Sequence, residues 1–259
     1  MTPSIDELAR RLDRAQERGE ALEQHGDGLS LAQAYAVQAA IKQLRIERGE
    51  TFLGPKLGFT SRAKMAQMGV DEVIVGFLTD RMQLAPGSTL SLAGLVHPRV
   101  EPELVFRLAH DVVAEPGEDA VSLGRRLEDA TDAVAAGLEV IDSRYRNFRF
   151  SLPDVVADNT SACRFVVGDW QPYPRPMSGL AVSMLVDGHQ VSAGSSDAIL
   201  GDPRQVFTAL AAVALQHDIP LPAGAPVLAG AMTEAVALQP GQQASVQLEG
   251  FAEVGLSTR

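Results

Sequence analysis

The stretch Val96 to Phe106 reads VHPRVEPELVF, and its run of β-branched and aromatic residues predicts a strand over Val100 to Leu108. Alternate side chains leave opposite faces of a strand, so Glu101 and Glu103 share a face, with backbones roughly 7 Å apart. Two carboxylates that close beside an apolar core repel unless a cation sits between them or one is protonated. For this pair alone, a solvated strand face is the ordinary alternative.

A third carboxylate lies downstream in GLEVID, where Glu139 interrupts a run that predicts a buried strand from Leu138 to Ile141. A buried glutamate needs a partner. Three oxygen donors suit a hard divalent cation such as Mg²⁺ or Mn²⁺, which retains waters that a chelating substrate displaces. No HxxxH or CxxC spacing competes for zinc. His97, just before the strand, is near enough to matter but reads as a polar loop histidine.

From Lys56 onward, short apolar runs separated by Gly, Pro and Asp predict further strands. These are Arg164 to Val167, a hairpin from Leu180 to Val191 turning at Asp187-Gly188, Pro226 to Leu228, and Ala244 to Leu248. One helix is expected near Val121 to Ala135. Another should follow Asp202-Pro203, with Asp202 as N-cap and Pro203 as the first helical residue. The class is α+β, with helices on a mainly antiparallel or mixed sheet.

Upstream, the capping-box pairs Ser4/Glu7 and Ser30/Gln33 start two helices. Ala34, Val37, Ile41 and Leu44 put one stripe of the second against a core, and Gly49 stops it. His25 to Gly28 is the loop between them. The expected organisation is an N-terminal helical region, residues 1–50, and a catalytic β domain, residues 51–259.

No apolar run reaches the roughly 20 residues of a membrane-spanning helix. The acidic, amphipathic N-terminus is unlike a signal peptide, so a cytoplasmic location is expected. Cys163, the single cysteine, cannot form an internal disulfide. A net charge of -11 argues against nonspecific nucleic-acid binding, even though residues 144–150 alternate cations with aromatics. An anionic substrate must then meet its positive charge locally. No GxGxxG or GxxxxGK phosphate-binding motif is present.

At KLGFTSRAKM, GFLTDRM, HPRVEPELVF, LEVIDSRYRNFRFSLPDVVADNTSA, GSSDAILGDP and AGAPVLAGAM, the chain resembles the fumarylacetoacetate hydrolase superfamily. The resemblance covers nearly the whole chain and lies in the branch of 2-hydroxypentadienoate hydratases and 4-oxalocrotonate decarboxylases. It implies a mixed, twisted β-roll with a metal at its mouth and the N-terminal helical region beside it. Glu101, Glu103 and Glu139 fall at that branch's metal ligands. Lys56, Asp80 and Ser161 fall in blocks that line its substrate site. SRAKM and NFRFSLPDV look more like the decarboxylase pattern than the hydratase one. The His-Glu pair of the hydrolases is absent, and Gly230-Ala231-Met232 stands where they often carry Gly-Thr-Pro.

The resemblance implies a carbon-carbon lyase, dependent on Mg²⁺ or Mn²⁺, that decarboxylates 2-oxohex-3-enedioate in meta-cleavage aromatic catabolism. The alternatives are hydration of 2-hydroxypenta-2,4-dienoate or a non-catalytic partner subunit. Lys56 is expected to balance substrate charge, Asp80 to orient Lys56 or move a proton, and Ser161 to hydrogen-bond a substrate carboxylate. Their ordinary readings are a snorkelling lysine, a turn aspartate and a turn-capping serine. Part of the Arg144 to Phe150 segment is expected to cover the distal carboxylate. A homo-oligomer and a complex with the related hydratase are the implied assemblies.

Overall fold

The computed structural model describes residues 4–24, 28–61, 65 and 72–259. Arg62, Ala63 and Lys64 of the SRAKM block, and His25 to Asp27 of the first loop, lie outside the described residues. In chain order the elements are α1 (Ile5–Arg18), α2 (Leu31–Glu47), β1 (Phe52–Gly58), β2 (Ile74–Thr79), β3 (Gln83–Leu84), β4 (Thr89–Leu90) and β5 (Arg99–Leu108). Then come α3 (Ala120–Asp129), β6 (Thr131–Ile141), α4 (Leu152–Ala157), β7 (Ala162–Val167), β8 (Gln171–Pro172), β9 (Ala181–Val186) and β10 (His189–Ser195). The chain finishes with α5 (Gln205–His217), β11 (Pro226–Ala231), β12 (Val236–Ala237), β13 (Gln243–Leu248) and β14 (Val254–Thr258).

The larger sheet runs β2-β1-β11-β5-β6-β7-β3, with β12 also on β5 and β8 on β6. The smaller runs β10-β9-β13-β14-β4. Most neighbours are antiparallel, while β1–β11, β3–β7 and β4–β14 are parallel, so the sheets are mixed as expected. Residues such as Leu104, Phe106, Leu138, Val182 and Val246 from both sheets meet in one core with Phe207 and Leu210 of α5. The hairpin turns at Asp187-Gly188, both at positive φ, which matches the twist of its two strands.

β5 is buried on both faces from Val100 to Phe106, yet it carries Pro102. Proline lacks the N–H that a central strand ordinarily donates. Here the Pro102 carbonyl accepts from Met232 N, on the β11 side, where the β11–β5 register shifts between Leu228 and Ala231. The missing donor therefore faces a break in the ladder. That break also leaves the Gly230 N–H free for a side chain.

Two expectations require correction. The helix placed near Val121 to Ala135 ends at Asp129, and β6 begins at Thr131 as an eleven-residue strand, far longer than Leu138 to Ile141. The alanines there read as helix formers, but small residues suit a strand pressed between β5 and β7. α5 starts at Gln205: Asp202 instead accepts from Arg204 N in the preceding turn, and the helix has no side-chain N-cap.

α1 and α2 begin with the expected capping boxes. Their buried stripes close with Ile74, Phe77, Tyr145 and Val156 into a second core. β2 is a sheet edge, whose outward backbone groups need partners. Tyr35 OH accepts from Val75 N at 3.2 Å, and Gln38 Nε2 donates to Val75 O at 3.0 Å. No helix among the described residues is long and apolar enough to cross a membrane.

Candidate active site

The register of β5 against β6 brings the carboxylates together: Glu101 is the cross-strand partner of Glu139, and Glu103 that of Gly137. All three are buried, and one oxygen of each lies within 4.8 Å of the others. Gly230, freed by the break in β11, donates to Glu103 Oε2 at 2.5 Å. Glu103 Oε1 is buried with no hydrogen-bond partner among the described residues. Burial first, and the Glu139 charge second, push the Glu103 carboxyl well above its ordinary range. An orphaned carboxylate oxygen in a cluster that resists full ionisation fits a divalent cation shared by all three groups.

Lys56 closes the cluster from β1. Its Nζ lies 2.9 Å from Glu139 Oε2 and donates to the Thr160 carbonyl at 3.3 Å. Burial would strip this ammonium of its charge, but Glu139, Glu103 and Glu101 together overcome that cost and raise its pKa above the ordinary lysine value. Four ionisable groups are thus held in one buried site, where Coulomb interactions are strong.

Ser161 reaches the same place through a turn between α4 and β7. Asn159, Thr160 and Ser161 have φ of 50°, 51° and 60°. Each non-glycine residue in this region costs of order 1 kcal/mol, so the surroundings must enforce the turn. They do so through Asn159, whose amide bonds the backbone of Phe77 on the edge of β2. The Ser161 carbonyl accepts from Asp142 N at 2.8 Å, beyond the end of β6. Ser161 Oγ is buried without a hydrogen-bond partner among the described residues, and Ser161 lines the cavity.

That cavity, about 110 Å³, is lined by Lys56, Glu101, Glu103 and Ser161 and by apolar residues that include Phe59, Phe148 and Phe150. Phe148 is packed against the His97 ring at 4.5 Å, and the Arg99 guanidinium lies 4.7 Å from its centroid. From residues 144–150, Phe148 and Phe150 line the cavity, while Tyr145 packs in the second core. Arg144 is buried against Asp158, and Arg146 pairs with Glu23 at 2.7 Å. Burial, opposed by Arg144, raises Asp158 to about 6.

The structure does not bring Asp80 to this site. It lies just past the end of β2, four residues beyond Gly76, the cross-strand partner of Lys56. Its carboxylate is exposed and accepts from Thr51 N at 2.8 Å and Arg81 N at 3.0 Å, which is the ordinary duty of a turn aspartate. Sequence reasoning missed Asn159, Gly76 and Gly230. A Cβ on Gly76 would sit 2.4 Å from Thr160 Oγ1, and one on Gly230 would sit 1.8 Å from Thr60 Oγ1. The available signals were an asparagine two residues before the serine in DNTS and the departure at Gly230-Ala231-Met232.

The chain matches no protein-family model. It is 43% identical to a 4-oxalocrotonate decarboxylase from Pseudomonas sp., over 98% of each chain. It is 34% identical to a 2-keto-4-pentenoate hydratase from Burkholderia vietnamiensis, over 97% of this chain and 96% of the relative. Among solved structures, the 4-oxalocrotonate decarboxylase of Pseudomonas putida G7, complexed with magnesium and adipate, superposes with a TM-score of 0.90 at 32% identity. That match covers 98% of this chain and 97% of the other.

Proposed function

Because the chain belongs to the hydratase and decarboxylase branch of the fumarylacetoacetate hydrolase superfamily, we propose that it is a divalent-metal-dependent carboxy-lyase. It converts 2-oxohex-3-enedioate to 2-hydroxypenta-2,4-dienoate and carbon dioxide. The observation that carries this reading is a buried three-carboxylate cluster, two members of which line one small cavity together with Lys56 and three phenylalanines. The P. putida G7 enzyme was complexed with magnesium and adipate, and adipate, like the proposed substrate, is a six-carbon dicarboxylate.

In this reading Glu101, Glu103 and Glu139 hold Mg²⁺ or Mn²⁺, which supplies a Lewis acid toward the 2-oxo group and its neighbouring carboxylate. Lys56 keeps positive charge beside the oxo-acid head, whose oxygens would otherwise face three carboxylates. Ser161 Oγ donates to a substrate oxygen, gaining the partner that it lacks among the described residues. Phe148 and Phe150 exclude water from the distal carboxylate, so its localised charge is disfavoured relative to the delocalised charge of the transition state. As the bond to that carboxylate breaks, its electron pair enters the adjacent carbon-carbon bond. The existing double bond shifts toward the ketone, the oxo oxygen takes the charge and carbon dioxide leaves; a proton from solvent then converts that oxygen to the hydroxyl of the product.

Residues 51–259 form the catalytic unit of this proposal, with α1 and α2 of the N-terminal region laid over its edge. The dienol product is unstable, which favours direct hand-over to the related hydratase. We therefore place the protein in the cytoplasm as a homo-oligomer able to join that hydratase. Co-elution of the two proteins on a sizing column, above micromolar concentration, tests the complex.

The decisive experiment supplies purified protein and Mg²⁺ with either 2-oxohex-3-enedioate or 2-hydroxypenta-2,4-dienoate, following carbon dioxide and products by NMR. Carbon dioxide from the diacid, with the dienoate left unhydrated, is expected. Formation of 4-hydroxy-2-oxopentanoate from the dienoate, with no carbon dioxide from the diacid, would make the protein a hydratase.

A further inference from the structure

A second cavity, about 580 Å³, opens between α1, α2, the turn after β2, the segment around β4 and the start of β7. It shares no lining residue with the cavity beside Glu101 and Glu103. Its volume falls in the range of small-molecule sites, roughly 300–1,000 Å³. Five arginines line it, in a chain whose net charge is -11.

Two of the five are accounted for by the fold. Arg45 is 4% exposed; it bonds Gln16, lies 3.6 Å from Asp13 and covers the Phe77 ring at 5.2 Å. Arg48 pairs with Asp13, with Glu17 at 3.0 Å and with Glu50 at 3.9 Å. These contacts engage every carboxylate side chain that lines the cavity.

Arg81, Arg164 and Arg259 come from three separate segments, and none pairs with a carboxylate among the described residues. The one side-chain hydrogen-bond donor among them is Arg164, whose Nη1 reaches the neighbouring Cys163 carbonyl at 2.8 Å. Three guanidinium groups around one concavity repel one another, and an anion that enters relieves this repulsion while gaining charge-assisted hydrogen bonds. The planar guanidinium fork matches carboxylate and phosphate oxygens.

We propose that this cleft is a binding site for a small polyanion bearing two or more carboxylate or phosphate groups, separate from the catalytic centre. Arg81, Arg164 and Arg259 are its ligands, while Arg45 and Arg48 are neutralised by Asp13, Glu17 and Glu50 and serve as its scaffold.

The test is calorimetric titration of the metal-free full chain with pyrophosphate and, separately, propane-1,2,3-tricarboxylate at low ionic strength. The two arms distinguish a phosphate from a carboxylate ligand. Single-site binding with a Kd below about 1 mM is expected for at least one probe. Affinity should fall at least about tenfold in Arg81→Ala, Arg259→Ala and Arg164→Gln, and fall again as salt is raised. Arg81 and Arg259 are exposed, so their variants keep the fold even if the Arg164 variant does not. Lys56→Met should bind as the wild type does. Absence of heat with both probes overturns the proposal, as does binding that survives all three arginine changes or disappears in Lys56→Met. Self-association that these arginine variants abolish, without anion binding, assigns the arginines to a contact between copies and also overturns it.

Discussion

Asn159 satisfies both outward backbone groups of Phe77: its Oδ1 accepts from Phe77 N at 2.8 Å, and its Nδ2 donates to Phe77 O at 3.0 Å. One side chain thereby finishes the edge of β2 and holds the left-handed turn that carries Thr160 and Ser161. Asn159→Ala would leave a buried N–H and a buried carbonyl unpaired, a loss of about 2–4 kcal/mol. Urea unfolding should register that loss. Turnover should fall further than stability accounts for, because the Thr160 carbonyl beside Lys56 and Ser161 lose their fixed positions. A variant with normal turnover would separate the turn from the chemistry.

Removing charge from the cluster should act on metal binding rather than on the fold. Glu101→Gln, Glu103→Gln and Glu139→Gln change little volume, so each should unfold within about 1–2 kcal/mol of the wild type while binding Mg²⁺ at least about tenfold more weakly. Chelator should abolish turnover, and added Mg²⁺ or Mn²⁺ should restore it. Full activity in metal-free buffer would remove the metal from the mechanism.

The pH dependence of metal binding has a definite sign. The Glu103 carboxyl titrates well above its ordinary value of 4.5 in the metal-free folded chain, chiefly through burial and then through Glu139. Its contribution to stability is complete below the unfolded value and is lost as pH rises through the folded one. A bound cation displaces that proton, so stabilisation by Mg²⁺ should grow as pH rises from the ordinary carboxylate range. Thermal unfolding with and without Mg²⁺ at about pH 5.5 and pH 8 measures this. A larger shift at the lower pH would contradict it, and Glu103→Gln should flatten the trend.

Lys56→Met keeps an unbranched side chain, one atom shorter, and removes its charge from among three carboxylates. Turnover should drop at least about tenfold, equivalent to roughly 1.4 kcal/mol of barrier. Substrate affinity should weaken as well, since the buried site loses its own cation. Steady-state kinetics at saturating Mg²⁺ would report both, and unchanged constants would reduce Lys56 to a structural partner of Glu139.

The sequence by itself determined the local features whose causes are local. Capping boxes at Ser4 and Ser30 started α1 and α2, Asp187-Gly188 turned the hairpin, and a spacing of two put Glu101 and Glu103 on one strand face. Glu139 was legible because a carboxylate inside an apolar run is costly to bury unless a cation or a hydrogen-bond donor meets it. Tertiary structure decided what depends on register and packing between distant segments. It set Glu139 opposite Glu101, freed Gly230 N to hold Glu103, and placed Lys56 against Glu139. It also kept Asp80 out, because residues beyond the end of β2 lie several strand positions from the cluster, and turned Thr131 to Ala135 from an expected helix into the start of β6. Propensity and motif act over a few neighbours. The docking of Asn159 on Phe77 joins residues 82 positions apart, and only a folded chain brings them within hydrogen-bond reach.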